Sequence, residues 1–233
     1  MRVIVFNRSL SDADFWSQVC VRHQLSLSVH HSISNEVLAG SSRSRILIFD
    51  QTVLGKDRSI ANAMYRNLLR DVIAVTCVNA SVSYAVDHMR MGAKWVFSSD
   101  ADASILDTGM ISLIKCAEEM GALYQEHLTL QAKFVTISPA EWKVLNCVLL
   151  GMTNKEIAVE LDVSIRTIES RRSNANRKLG VRNLASMVRC VDRATFLKNQ
   201  FEPDISSRVN RMTNHLFFDF RYGQLQQATA TLG

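Results

Sequence analysis

Between Thr153 and Leu179 the chain places cations, hydroxyls and carboxylates at spacings that suit contact with a polyanion. On a helix over 164–180, at about 100° per residue, Ala175 and Leu179 fall within about 20° of Ile168 and define a buried stripe. Arg166, Glu169, Ser170, Ser173 and Arg177 cluster on the opposite side, which lacks large apolar residues. Arginine there can meet guanine or phosphate, and a glutamate can accept from cytosine N4, so the surface suits the major groove of a duplex. The angles alone also describe an ordinary solvated helix.

Other reactive residues are sparse. Asp50 ends the apolar run Ile46-Leu47-Ile48-Phe49, and Thr76 ends Val72-Ile73-Ala74-Val75. Cys20, Cys77, Cys116, Cys147 and Cys190 are odd in number, widely spaced and in apolar contexts, which reads as buried reduced thiols. His30-His31 closes an alternating run and reads as a strand end, not a ligand. The sequence holds no CxxC, HExxH, GxSxG or glycine-rich phosphate loop, so nothing in it points to an enzyme.

The positive charge is concentrated. Over 233 residues the formal net charge is +5, yet residues 1–132 carry 12 basic and 13 acidic side chains, and 133–200 carry 12 and 6. All of the excess therefore lies in one segment, as expected of a polyanion-binding module beside a neutral one. The length suits two ordinary domains. With 47% apolar and 21% charged residues the composition is that of a folded globular chain. No run approaches the ~20 apolar residues of a membrane span, and the N-terminus lacks a signal-peptide core, so a cytoplasmic location without membrane contact is expected.

Stepping along the chain, strands and helices alternate over the first half. Val3-Ile4-Val5-Phe6 reads as a doubly buried strand, and Ser11 as the cap of a helix with Phe15, Val19 and Cys20 on its apolar face. Leu25, Leu27 and Val29 read as a half-exposed strand, and the runs ending at Asp50 and Thr76 as two more. Helices are expected over 59–70 and over Val82 to Met91, the latter closed by Gly92, then a strand at Trp95-Val96-Phe97 and a helix from about Asp102 to Met120. Five strands alternating with helices imply a doubly wound parallel sheet with right-handed crossovers. In such sheets ligands gather at the carboxyl ends of strands, here Asn7-Arg8, Asp50, Thr76 and Ser98-Ser99.

Residues 1–120 resemble a response-regulator receiver domain, on the strength of Ile46-Leu47-Ile48-Phe49-Asp50, Thr76 and Met91-Gly92-Ala93-Lys94-Trp95-Val96-Phe97. The resemblance implies a flavodoxin-like five-stranded α/β fold with Asp50 at the phosphoacceptor position. The departures are specific. Receivers hold Mg²⁺ with an acidic pair after the first strand, and Asn7 and Arg8 stand there; the lysine after the fifth strand falls on Ser99. The switch aromatic falls on Val96, with Trp95 one residue away. The expectation is a degenerate receiver with no cofactor and its Mg²⁺ site lost, whose Asp50 is a strand-end carboxylate held by Arg8.

Over the second half the punctuation is clear. Ser138-Pro139-Ala140-Glu141 and Thr153-Asn154-Lys155-Glu156 are capping boxes. The first helix presents Trp142, Leu145, Val148 and Leu149 and stops at Gly151; the second presents Ile157, Ala158 and Leu161. Val163 turns the chain, Ser164 caps a third helix and Gly180 ends it, so the middle pair reads as helix-turn-helix. A fourth helix from about Asn183 to Leu197 shows Leu184, Met187, Val188, Val191 and Thr195 at helical spacing.

This segment closely resembles the LuxR-type helix-turn-helix of NarL/FixJ response regulators. The matching runs are Ser138 to Glu141 with Val144-Leu145, Thr153 to Ala158, Leu161 to Glu169 and Arg171 to Val181. The resemblance implies a four-helix DNA-binding domain over 134–199, with a linker helix over 121–133. It places Glu169, Ser170 and Ser173 at base-reading positions. Asn154, Lys155, Arg166, Thr167, Arg177 and Lys178 take the role of phosphate clamps, with help from helix N-termini such as that capped by Ser164. Arg171 and Arg172 flank the buried stripe, Arg172 with its stem packed inward. The partners implied are double-stranded DNA, a second copy of the chain through the fourth helix, and RNA polymerase or a regulatory protein.

The extension 200–233 exceeds what the family needs. Within it Leu216-Phe217-Phe218-Asp219-Phe220 reads as a docking segment and Gln224 to Gly233 as disordered. Two alternatives fit the same residues: a conventional phosphorelay regulator modified at Asp50, and a protein-interaction or ligand-sensing regulator that works through its receiver-like half.

Overall fold

The computed structural model describes residues 1–7, 11–34, 44–54 and 70–201. Arg8, most of the helix expected over 59–70 and the tail beyond Phe201 lie outside the described residues. The chain divides into two units, between Tyr124 and Gln125.

The first unit is a parallel sheet of five strands in the order β2-β1-β3-β4-β5, with β1 Arg2–Phe6, β2 Ser26–His30, β3 Ile46–Asp50, β4 Val72–Cys77 and β5 Trp95–Ser98. All pairings are parallel, so each crossover must leave the sheet and return across a face. The register sets Asp50 directly beside Thr76, and Cys77 beside Ser98.

Side-chain alternation along each strand feeds two cores. On one face Val3, Val5, Ile46, Ile48, Val72, Ala74 and Phe97 pack under α1 (Ser11–Arg22) and α4 (Ala103–Val135). On the other Ile4, Phe6, Leu47, Phe49, Ile73 and Val75 pack with Leu54 of α2 (Gln51–Leu54) and, more loosely, Tyr84 of α3 (Val82–Met91). Because β1, β3 and β4 are covered on both sides, their sequences are continuous apolar runs; edge strand β2 is only half-buried and alternates with serine.

Two expectations shift. The inward residue of α1 is Trp16, at 3% exposure, while Phe15 stands 39% exposed. Trp16, Val19 and Cys20 share a tighter i, i+3, i+4 stripe, and Trp16 meets Phe97 edge-on with centroids 5.5 Å apart. The helix expected to stop at Met120 and the linker helix expected over 121–133 form one continuous element, α4, 33 residues long. Nothing between Met120 and Val135 ends a helix, since Gly121 lacks a following breaker and Leu130 and Phe134 find apolar cover in the second unit.

The second unit contains α5 (Pro139–Leu149), α6 (Asn154–Glu160), α7 (Ile165–Leu179) and α8 (Leu184–Phe201), packed with the end of α4. Both capping boxes form: Ser138 Oγ accepts from the Glu141 amide at 3.3 Å while Glu141 Oε2 accepts from the Ser138 amide at 2.8 Å, and Thr153 and Glu156 do the same. Gly180, with φ 73°, ends α7 in the left-handed region where a side chain would be strained. The stripe of α8 is Met187, Val191, Ala194, Leu197 and Phe201, whereas Leu184 is 42% exposed. The bulk of α8 is therefore anchored one position away from the Leu184, Val188, Thr195 row.

Candidate nucleic-acid interface

The turn between α6 and α7 determines where the outward face of α7 goes. Leu161 ends α6, Asp162 takes φ 50°, and the Val163 amide closes back on the Ala158 carbonyl at 3.0 Å. Positive φ at a non-glycine residue is carried best by Asp or Asn, whose short polar side chains tolerate it. Sequence reasoning credited the turn to Val163 and missed Asp162, for which the residue type was the available signal. Ser164 then caps α7 by accepting from the Thr167 amide at 3.1 Å, and its Oγ lies 2.8 Å from Thr167 Oγ1.

On α7 the inward residues are Ile168, Ala175 and Leu179, all at 2% exposure or less. Arg166, Glu169, Ser170, Ser173 and Arg177 are exposed on the other side. Arg171 and Arg172 lie between, half-buried; Arg172 Nη1 donates to Asn154 Oδ1 at 3.0 Å and ties the start of α6 to the middle of α7. Lys155 is exposed at the first turn of α6. Arg166, Arg177 and Lys155 make no ion pair among the described residues, so their charges are open to a ligand.

Lys178 is separated from this group. Its Nζ donates to Glu141 Oε2 at 2.6 Å and to the Thr136 carbonyl at 2.9 Å. Burial works against the charge on Glu141, but the Lys178 ammonium and the Ser138 cap outweigh it and hold the carboxyl below its ordinary value. Glu141 is thus a structural partner that the cap motif alone did not reveal.

At the strand ends of the first unit, Asp50 Oδ1 accepts from the Thr52 amide at 2.8 Å and from the Thr52 hydroxyl, and Oδ2 accepts from Thr76 Oγ1 at 3.0 Å. Asn7 is 3% exposed at the end of β1, with its carbonyl 3.0 Å from His31 Nδ1. Ser99 is exposed, and its amide donates to the Cys77 carbonyl at 2.9 Å. Burial, reinforced by the Asp50 and Asp100 charges, pushes the Cys77 thiol up, so it is no ready nucleophile. Trp95 packs into the core shared with Phe97 and α4, on the opposite face of the strand from Val96. Of the other cysteines Cys20 is buried, and Cys116, Cys147 and Cys190 are only half-buried; all are reduced.

The described residues combine a five-stranded receiver-like unit with a capped helix-turn-helix unit. Residues 135–191 match the model of the family described as bacterial regulatory proteins, luxR family. The transcriptional regulatory protein FixJ of Bradyrhizobium diazoefficiens is 30% identical over 127 residues, covering 54% of this chain and 62% of that protein. The C4-dicarboxylate transport transcriptional regulatory protein DctR of Rhodobacter capsulatus is 33% identical over 112 residues, covering 48% and 56%. These matches span little more than half the length of the relatives. Among solved structures, the response regulator StyR superposes with a TM-score of 0.66 at 19% identity, over 82% of this chain and 98% of that one, which shows a shared fold. The chain is thus similar to FixJ-type response regulators over about half its length, and residues 135–191 carry the luxR-family segment. Among the described residues no helix is long and apolar enough to cross a membrane.

Proposed function

We propose that this chain is a sequence-specific regulator of transcription that reads duplex DNA by laying α7 in the major groove. The outward face of α7 carries the reading: Arg166, Glu169, Ser170, Ser173 and Arg177 stand exposed while Ile168, Ala175 and Leu179 anchor the reverse. Glu169, Ser170 and Ser173 address base edges; Arg166, Arg177 and Lys155 address phosphates, which position the helix without reading sequence. The bond from Arg172 to Asn154 keeps the two helices of the motif in register. The names of the relatives, which are transcriptional regulators, support the same class. A homodimer on a two-fold site is part of this reading, and the exposed Phe196 of α8 supports it.

The first unit, in this reading, is an atypical receiver that signals without Mg²⁺-dependent phosphorylation. A hard divalent ion wants several oxygen ligands, with carboxylates among them. Among the described residues the strand ends offer Asp50, with both oxygens already engaged by Thr52 and Thr76, and Asp100, which accepts from the Ser98 hydroxyl, beside the buried amide residue Asn7. Among the described residues no three His, Cys, Asp or Glu side chains gather as a metal site would need. These donors do not fit the ion.

Selection of bound sequences from a random duplex pool by the full-length chain tests the reading. An enriched motif is expected, with Glu169→Ala relaxing preference at one base pair. Recovery of an unenriched pool at low ionic strength would refute it.

A further inference from the structure

The carboxyl end of α7 is bracketed by two lysines whose ammonium groups are turned on the protein itself. Lys178 Nζ reaches Glu141 Oε2 at 2.6 Å and the Thr136 carbonyl at 2.9 Å, and Lys133 Nζ reaches the Leu179 carbonyl at 3.5 Å. Glu141 is 6% exposed, and the oxygen that receives Lys178 also receives the Ser138 amide at 2.8 Å. The carboxylate that closes the cap of α5 therefore also ties down the end of α7. An ammonium has three protons to give, and two of these are spent inside the unit. Arg177, one residue earlier, is exposed and makes no ion pair among the described residues. Adjacent cations thus have opposite employment.

We infer that Lys178 is a positioning residue for the reading face of α7, fixing the rotation of the helix through Glu141 and Thr136, and that it is not a phosphate contact. The inference rests on the DNA-binding reading above. Side chains on a helix reach about 5 Å from its axis, so a turn of about 20° moves the outer ones by about 2 Å. That is enough to break a hydrogen bond to a base edge. Loss of the ammonium would also leave Glu141 charged and underpaired in a buried site, which favours rearrangement of the helix end.

Salt dependence separates the two roles. Removing a phosphate contact lowers the slope of log affinity against log salt by about 0.9 and weakens all sequences alike. Removing a positioning residue leaves that slope in place and erodes discrimination. The measurement is fluorescence anisotropy of the full-length chain on the enriched duplex and on a scrambled one, at several KCl concentrations. Lys178→Ala and Glu141→Gln should each reduce the preference for the enriched duplex about tenfold, of the order of one base contact. Both should keep the wild-type slope on scrambled DNA, the double variant should lose no more than either single one, and Lys178→Arg should restore the preference. Lys178→Met, which keeps the stem, carries the same test if the alanine variant does not fold. A lowered slope with preference intact, the pattern expected of Arg177→Ala, would overturn the inference, and so would wild-type behaviour of Lys178→Ala. A wild-type chain without preference for any duplex would instead bring down the DNA-binding reading itself.

Discussion

The outward face of α7 and the strand ends around Asp50 handle charge in opposite ways. On α7 the cations Arg166 and Arg177 are exposed and make no ion pair among the described residues. At the end of β3 the Asp50 carboxylate takes three hydrogen bonds from Thr52 and Thr76. A surface that waits for an external polyanion keeps its charges open, because each contact must exchange counterions for phosphate. A carboxylate already served by its own neighbours has no such need. The difference is between cations without ion pairs among the described residues and a carboxylate whose two oxygens both accept hydrogen bonds.

Four substitutions test that separation. Ile168→Ala should have the largest effect, since it empties a fully buried position behind the reading face. A loss of about 2–5 kcal/mol is expected in urea denaturation, with DNA retention falling alongside; undiminished retention would detach the face from its core. Gly109→Ala comes next. A Cβ there would stand 2.5 Å from Phe97 Cε1 and 2.7 Å from Trp95 Nε1, so the first unit should lose about 1–3 kcal/mol. Duplex affinity of the full chain should stay at the wild-type value, and a matching loss would break the comparison.

Glu141→Gln should be smaller and pH-dependent. The native carboxyl is held below its ordinary value, so its contribution is complete above about pH 4.5 and disappears as pH falls through the lowered native value. The gap in melting temperature between wild type and variant should be widest near neutrality and close on acidification; a gap that widens in acid would reverse the sign. Asp50→Asn should do least. With acetyl phosphate and Mg²⁺, intact mass should show no phosphoryl adduct on the wild type, and the variant should bind DNA as the wild type does. Stoichiometric loading of Asp50 would join the pocket to a conventional phosphorelay.

The order of strands and helices was legible because doubly buried strands are written as unbroken apolar runs, and because both capping boxes and Gly180 mark helix ends with residue types that have few other uses. The buried stripe of α7 was equally legible, being a matter of helical period alone. What escaped depended on choices among neighbours. Phe15 and Trp16 are both aromatic, and only packing on Phe97 selects the second. Lys178 and Arg177 are both cations near a helix end, and only Glu141, 37 residues away in sequence, distinguishes them. Leu130 and Phe134 extend α4 by packing on residues far along the chain, which no local signal announces.

The shared helix Ala103–Val135 limits how such chains can be recombined. Its earlier turns lend Leu106, Met110, Leu113 and Ala117 to one core, and its last turns lend Phe134 to the other. A chimera joined at the start of the matched family segment, residue 135, would strip the graft of Phe134 and of the Glu126 carboxylate that grips Arg193 at 2.6 Å. A seam at Tyr124 and Gln125, where the two units divide, instead leaves each core with its own turns of the helix.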